Sequence, residues 1–182
     1  MKFVETTLRG AYIIELEKHT DERGFFARSW DTQEFARKGL DPKIVQCSVS
    51  LNEKRGTLRG MHYQSAPFQE AKIVRCTRGT IYDVIIDIRH GSETFMQWTA
   101  AELTEDNHRM LYVPKGFAHG FQTLVDHSEV FYQISETYSP GSARGIRWND
   151  PQFKITWPDA VRTMSVKDSE CPDFDPTNAE QV

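Results

Sequence analysis

Three side chains pose the chemical question. His62, Lys72 and Tyr132 each lie in a run that reads as β-strand. His62 shares its parity with Leu58 and Gln64, Lys72 with Val74 and Cys76, and Tyr132 with Val130 and Ile134. Side chains alternate between the two faces of a strand, so all three fall among apolar neighbours on the inward side. Enclosing a charged lysine costs several kcal/mol unless it is paired or faces water. Two readings stay open on parity alone. The three are separately satisfied polar side chains, the lysine snorkelling, or they line one polar ligand cavity inside a barrel.

Metal binding is the obvious rival chemistry. The chain carries six histidines: His19, His62, His90, His108, His119 and His127. None forms an H-x-H pair. His62 and His119 sit on separate candidate strands that could converge, but no third ligand accompanies them, and a mononuclear site usually gathers two or three histidines with a carboxylate. No metal is therefore expected. The glycine-rich dinucleotide and phosphate loops and the G-x-S-x-G elbow are missing as well. In Gly116-Phe117-Ala118-His119-Gly120-Phe121 a histidine flanked by glycine suits either a tight connection or a functional position. Basic residues recur among the strands at Arg23, Arg28, Arg59, Lys72, Arg75 and Arg78; parity puts Arg75 opposite Lys72, on the outer face.

Strands must hold these groups. In Thr80–Arg89, Tyr82, Val84, Ile86 and Ile88 share one parity and Asp83, Asp87 and Arg89 the other, the period of a sheet with one buried face. Arg78-Gly79, between this run and Lys72–Thr77, reads as a hairpin turn. Further strands are expected at Tyr12–Glu17, Ile44–Ser50, Thr57–Tyr63, Trp98–Leu103, Met110–Val113, Gly120–Leu124, Glu129–Ser135 and Gly145–Trp148. One short helix is expected after Asp31 as cap, with Glu34 as its capping-box partner and Gly39 at its end, and a second near the C-terminus. Many short strands with little helix mean a sandwich or barrel.

Composition bounds the partners. The 182 residues, with 38% hydrophobic and 26% charged, suit one globular domain over residues 1–182 whose last ten residues are mobile. A net charge of −4 disfavours a nucleic-acid backbone as partner while leaving room for a local anion site. No run of about 18 apolar residues predicts a membrane span, and the N-terminus lacks the apolar core of a signal peptide. Cys47, Cys76 and Cys171 are odd in number and form no C-x-x-C pair, which points to a reducing, cytoplasmic setting. Cys47 and Cys76 read as buried free thiols.

The chain resembles the dTDP-4-dehydrorhamnose 3,5-epimerase family across roughly residues 1–175. The likeness is carried by Asp21-Glu22-Arg23-Gly24-Phe25-Phe26, Leu58-Arg59-Gly60-Met61-His62-Tyr63-Gln64, Ala71-Lys72-Ile73-Val74-Arg75, Asp83 to Arg89, Pro114 to Phe121, and Ile146-Arg147-Trp148-Asn149-Asp150-Pro151. The resemblance implies an all-β, cupin-type jelly roll with a few short peripheral helices. It implies an epimerase without metal or cofactor, acting on a nucleotide-linked 4-keto-6-deoxyhexose whose C3 and C5 protons are acidified by the C4 ketone. By the same likeness His62 matches the base, Asp168 the carboxylate that orients it, Tyr132 the acid on the opposite face and Lys72 the cation beside the C4 oxygen. Substrate contacts fall to Arg23, Phe26, Arg28, Gln46, Ser48, Arg59, His119 and Lys167, with Tyr138 stacking on the base. A homodimer is implied too, its N-terminal strands crossing to the partner.

Three positions depart from the pattern. Arg28 and Ala143 stand where the family commonly has Glu, and Ser48 where it commonly has Asn. All three belong to the nucleotide-contacting set, so thymidine is expected but less firmly specified than the proton chemistry. Rival readings are an epimerase acting at one centre, a 3,4-ketoisomerase, and a nucleotide-sugar binding protein without activity.

Overall fold

The computed structural model describes residues 1–178. Its elements run β1 (Lys2–Glu5), β2 (Tyr12–Glu15), β3 (His19–Asp21), β4 (Gly24–Phe26), α1 (Thr32–Arg37), β5 (Gln46–Asn52), β6 (Leu58–Gln64), β7 (Lys72–Arg78), β8 (Thr80–Asp87), β9 (Trp98–Thr104), β10 (Met110–Val113), β11 (Phe117–Thr123), β12 (Ser128–Ile134), β13 (Ala143–Gly145) and α2 (Val166–Ser169). One sheet has the order β1-β2-β10-β7-β12-β5 and the other β13-β6-β11-β8-β9, with β3-β4 as a separate hairpin. This is the all-β, cupin-type jelly roll that the resemblance implies.

Parity decides what lies between the sheets. Val74, Cys76, Leu111, Val113 and Val130 of the first sheet meet Ile81, Ile85, Leu103, Phe117 and Phe121 of the second in one apolar layer. The back of the first sheet is covered by α1, whose Phe35 is fully buried against Ile14, Ile73, Met110 and Tyr112. The C-terminal segment covers the back of the second, with Phe153 and Phe174 packing on Met61, Val84, Ile86, Ile88 and Ala118.

That second cover corrects the reading of β8. Both of its faces are buried, and the set containing Asp83 faces the interior while Val84 and Ile86 lie under the C-terminal segment. The turn at Arg78-Gly79 is not a hairpin. β7 and β8 belong to different sheets, and Gly79 (φ +76°) carries the chain across the edge between them. The helix after Asp31 forms as expected: its carboxylate accepts the Gln33 and Glu34 amides at 2.9 and 3.0 Å. Glu34 does not close the capping box, because its side chain accepts from the N-terminal ammonium at 3.0 Å. Strands β1, β3 and β4 are additions to the expected set, and the strand expected at Gly145–Trp148 forms instead at Ala143–Gly145, paired with β6.

The cysteines divide. Cys76 is buried, and burial pushes its thiol up to about 11. Cys47 is exposed, contrary to expectation, because it faces outward from β5 at the free edge of the first sheet. Within the tail expected to be mobile, Phe174 is buried at 3% exposure and Asp173 pairs with Arg147 at 2.6 Å; residues 179–182 of that tail lie outside the described residues. Among the described residues no helix is long and apolar enough to cross a membrane.

Candidate active site

Strands β6 and β11 deliver two histidines side by side, with His62 the direct partner of His119. Two residues further along β11, Phe121 pairs with Arg59, three residues back along β6. The extra residue is a bulge at Gly60, whose φ is +126°. It turns Arg59 and His62, which have opposite parity, toward the same cavity. Glycine is required there: a Cβ on Gly60 would sit 2.5 Å from the Gly120 Cα, and one on Gly120 would sit 2.7 Å from the Arg59 carbonyl oxygen.

Each histidine is held by its own carboxylate. His62 Nε2–H donates to Asp168 Oδ1 at 2.7 Å. Asp168 comes from α2, where Ser165 caps the turn and accepts the Asp168 amide at 3.1 Å; the Gly60 amide donates to its other oxygen at 3.4 Å. Burial alone would raise the Asp168 carboxyl. The hydrogen bond and charge of His62, helped by Gly60 and Ser165, hold it below the ordinary carboxylate value instead. His119 Nε2–H donates to Asp83 Oδ1 at 2.7 Å inside the barrel, where Asp83 is fully buried. The second Asp83 oxygen has no partner among the described residues.

Tyr132 stands edge-on to His119, with ring centroids 6.2 Å apart. Burial, reinforced by the Asp83 charge, pushes its phenol above the ordinary value; Arg59 and a hydrogen bond with Ser50 oppose that shift only in part. The phenol therefore keeps its proton at neutral pH. Lys72, at the start of β7, is paired with Glu70 at 2.8 Å, and both side chains are nearly enclosed. Arg59 donates from Nε to Asn52 Oδ1 at 2.7 Å. Gln46 accepts the Tyr138 amide at 2.7 Å and Gln64 the Ser139 amide at 2.6 Å, which fixes the exposed Tyr138 ring at the cavity mouth.

The cavity has a volume of about 420 Å³. Of the residues singled out in the sequence, Gln46, Ser48, Arg59, His62, Lys72, His119, Tyr132, Tyr138 and Lys167 line it, and Asp168 backs His62. Ala143 lines it too. Arg23, Phe26 and Arg28 do not line it in the single chain. Arg23 pairs with Asp21 on the β3–β4 hairpin, Phe26 is 72% exposed, and Arg28 pairs with Asp31 at the start of α1. Sequence reasoning missed Glu70, Asn52 and Asp83. Glu70 shares parity with Lys72, a signal that could have found it; Asp83 reads from parity as an outer-face residue of β8. Among the described residues no three His, Cys, Asp or Glu side chains are placed to hold a metal ion.

Such a set can move protons next to a carbonyl. A carboxylate-backed imidazole can take a proton, a protonated phenol can return one, and an ammonium can stabilise the oxyanion formed between the two steps.

A sequence profile described as dTDP-4-dehydrorhamnose 3,5-epimerase matches residues 5–176. The dTDP-4-dehydrorhamnose 3,5-epimerase of Methanothermobacter thermautotrophicus is 43% identical over 157 residues, covering 86% of this chain and 84% of its own. The crystal structure of the enzyme of that name from Bacillus anthracis, with TDP and PPi bound, superposes with a TM-score of 0.91 at 42% identity, covering 95% of this chain and 99% of that one. The dTDP-6-deoxy-D-glucose-3,5-epimerase of Legionella pneumophila, in complex with dTDP-4-keto-L-rhamnose, gives 0.87 at 36% identity over 94% and 92%.

Proposed function

Because the chain belongs to the dTDP-4-dehydrorhamnose 3,5-epimerase family, we propose that it inverts C3 and C5 of dTDP-4-dehydro-6-deoxy-D-glucose to give dTDP-4-dehydro-L-rhamnose. The observation that carries this reading is the opening of the His62–Asp168 pair into the same cavity as Tyr132 and Lys72.

His62 takes the proton from a carbon next to the C4 ketone, and its ring becomes imidazolium. The Asp168 carboxylate, held ionised by its surroundings, stabilises that cation and fixes the ring by accepting from Nε2. The electron pair moves to the C4 oxygen, where the Lys72 ammonium meets the developing charge; one such donor contributes about 3–4 kcal/mol to the transition state. Tyr132 returns a proton to the opposite face, which inverts the centre. A phenol is a strong enough acid for this task, since carbon is the more basic partner. Arg59 and Lys167 supply positive charge for the diphosphate, and Tyr138 at the mouth presents its ring to the base.

In deuterated water with this substrate, label is expected to enter the sugar at both C3 and C5. Absence of label at both carbons would refute the reading, and label at one carbon alone would mark a single-centre epimerase. His62→Ala is expected to abolish exchange while dTDP binding persists.

The same reading includes a homodimer in the cytosol. It is supported by the unpaired edge of β5, whose outward Val49 and Leu51 are 62% and 48% exposed, and by the exposed β3–β4 hairpin. In the dimer that hairpin would bring Arg23 and Phe26 to the partner's cavity. Light scattering gives the test, with a monomeric mass as the refuting result.

A further inference from the structure

We propose that Glu70 is a specificity-determining residue: one carboxylate oxygen holds the Lys72 ammonium, and the other accepts a hydrogen bond from the substrate hydroxyl on C3. The proposal rests on the reading that Lys72 stands at the C4 oxygen.

Glu70 lies two residues before Lys72 and points the same way, into the cavity. Its Oε1 is 2.8 Å from the Lys72 ammonium, and the two side chains are 12% and 11% exposed. Glu70 lines the cavity, and its other oxygen receives no hydrogen bond from a described residue. Of the other two acids, Asp168 has both oxygens taken, by His62 and the Gly60 amide, and the unpartnered oxygen of Asp83 is buried away from solvent. Glu70 thus offers the cavity a carboxylate oxygen beside the Lys72 ammonium with no hydrogen bond of its own.

Substrate chemistry selects the donor. In a 4-keto-6-deoxyhexose the carbonyl carbon has two neighbours. C5 carries the ring oxygen and a methyl group, so it presents no donor. C3 carries a hydroxyl, vicinal to the C4 oxygen. A carboxylate bridging from the ammonium at that oxygen has the C3 hydroxyl as its nearest donor, and a hydrogen bond to an ionised acceptor is stronger than a neutral one. The contact orients C3, and only C3, toward His62.

Glu70→Gln separates the two duties. The amide keeps the size of the side chain but replaces one acceptor oxygen by an NH2 donor, so when its oxygen meets the ammonium it turns N–H rather than an acceptor toward the hydroxyl. In deuterated water the variant is expected to exchange C3 about tenfold more slowly relative to C5 than the wild type does. With the 3-deoxy analogue of the sugar nucleotide that difference is expected to vanish. Exchange at C5 reports on the fold and on Lys72 within the same sample. Equal slowing at both carbons, or no change at either, would overturn the proposal, because an effect passed only through Lys72 acts on the one C4 oxygen shared by both enolates. A selective C3 loss that persists with the 3-deoxy analogue would overturn it too. Absence of exchange at both carbons in the wild type would refute the epimerase reading itself, and this proposal with it.

Discussion

Replacing Asp168 by asparagine isolates what the carboxylate contributes. In Asp168→Asn the amide oxygen could still accept from His62 Nε2–H across the 2.7 Å contact, so the ring's position is largely kept and the charge is lost. The substitution therefore bears on the step in which His62 becomes a cation. Two unit charges about 4 Å apart at an effective permittivity of about 20 attract by about 4 kcal/mol. His62 is 41% exposed before substrate binds, so water screens part of that attraction. What is left predicts a fall in kcat of about a hundredfold, equivalent to about 2.7 kcal/mol. KM should change by less than about threefold, because Asp168 does not line the cavity. Solvent exchange at C3 and C5 should slow together, since one base serves both carbons. Steady-state turnover and deuterium incorporation measure both effects, with thermal melting as the check on folding. A folded variant that loses less than about fivefold in kcat, or that loses only in KM, would refute the assignment of Asp168 as counter-charge to an imidazolium.

Gly60→Ala must place a side chain at φ +126° and 2.5 Å from the Gly120 backbone, so a loss above about 3 kcal/mol is expected in urea unfolding; a loss below about 1 kcal/mol would contradict the bulge geometry. The Cys76 thiol, raised from 9.0 to about 11, holds about a hundredfold less thiolate at pH 8 than an ordinary thiol. Alkylation followed by mass spectrometry should find Cys76 unmodified until denaturant is added, and equal labelling rates with and without denaturant would refute its burial. Asp87 is buried with Arg89, Ser92 and Thr94 around it; burial would raise its carboxyl, but those hydrogen bonds hold it below 3.8. The unfolded chain therefore takes up the proton at higher pH than the folded one, and this contribution is present above about pH 4 and lost as pH falls through the folded value. Asp87→Asn should be less stable by about 3–5 kcal/mol at pH 7, with the gap to wild type narrowing below about pH 4; a gap that stays constant down to about pH 2.5 would refute the linkage.

Much of this site follows from alternation along strands. Lys72 and Tyr132 share parity with core residues, and both point inward because β7 and β12 pair regularly from Val130 to Ile134. Arg59 could not be placed that way. Its parity opposes that of His62, and only the extra residue at Gly60 brings the two together. β8 misleads for a different reason. Alternation distinguishes two faces but does not say which faces water, and here the C-terminal segment shelters the back of the strand while Asp83 is buried inside the barrel against His119. Asp83 escapes notice because acids on strands are usually solvated, and Glu70 because it precedes β7 in the loop. Asp168 has no pattern around it at all. It lies on a four-residue helix 106 positions from His62, and only family likeness connects the two. Arg23, Phe26 and Arg28 are the converse: the likeness names them, and a single chain leaves them outside the cavity.

The C-terminal segment both seals the apolar back of the second sheet and carries Asp168 to His62. On a ribosome this segment emerges after the strands that carry His62, Lys72 and Tyr132. The strands that bring together His62, Lys72 and Tyr132 can pair while the segment is still being made, yet the imidazole has no counter-charge until Phe153 and Phe174 have docked. A chain that lacks the part from Ser165 onward therefore has the cavity's His62, Tyr132 and Lys72 without the carboxylate that His62 meets in the folded protein.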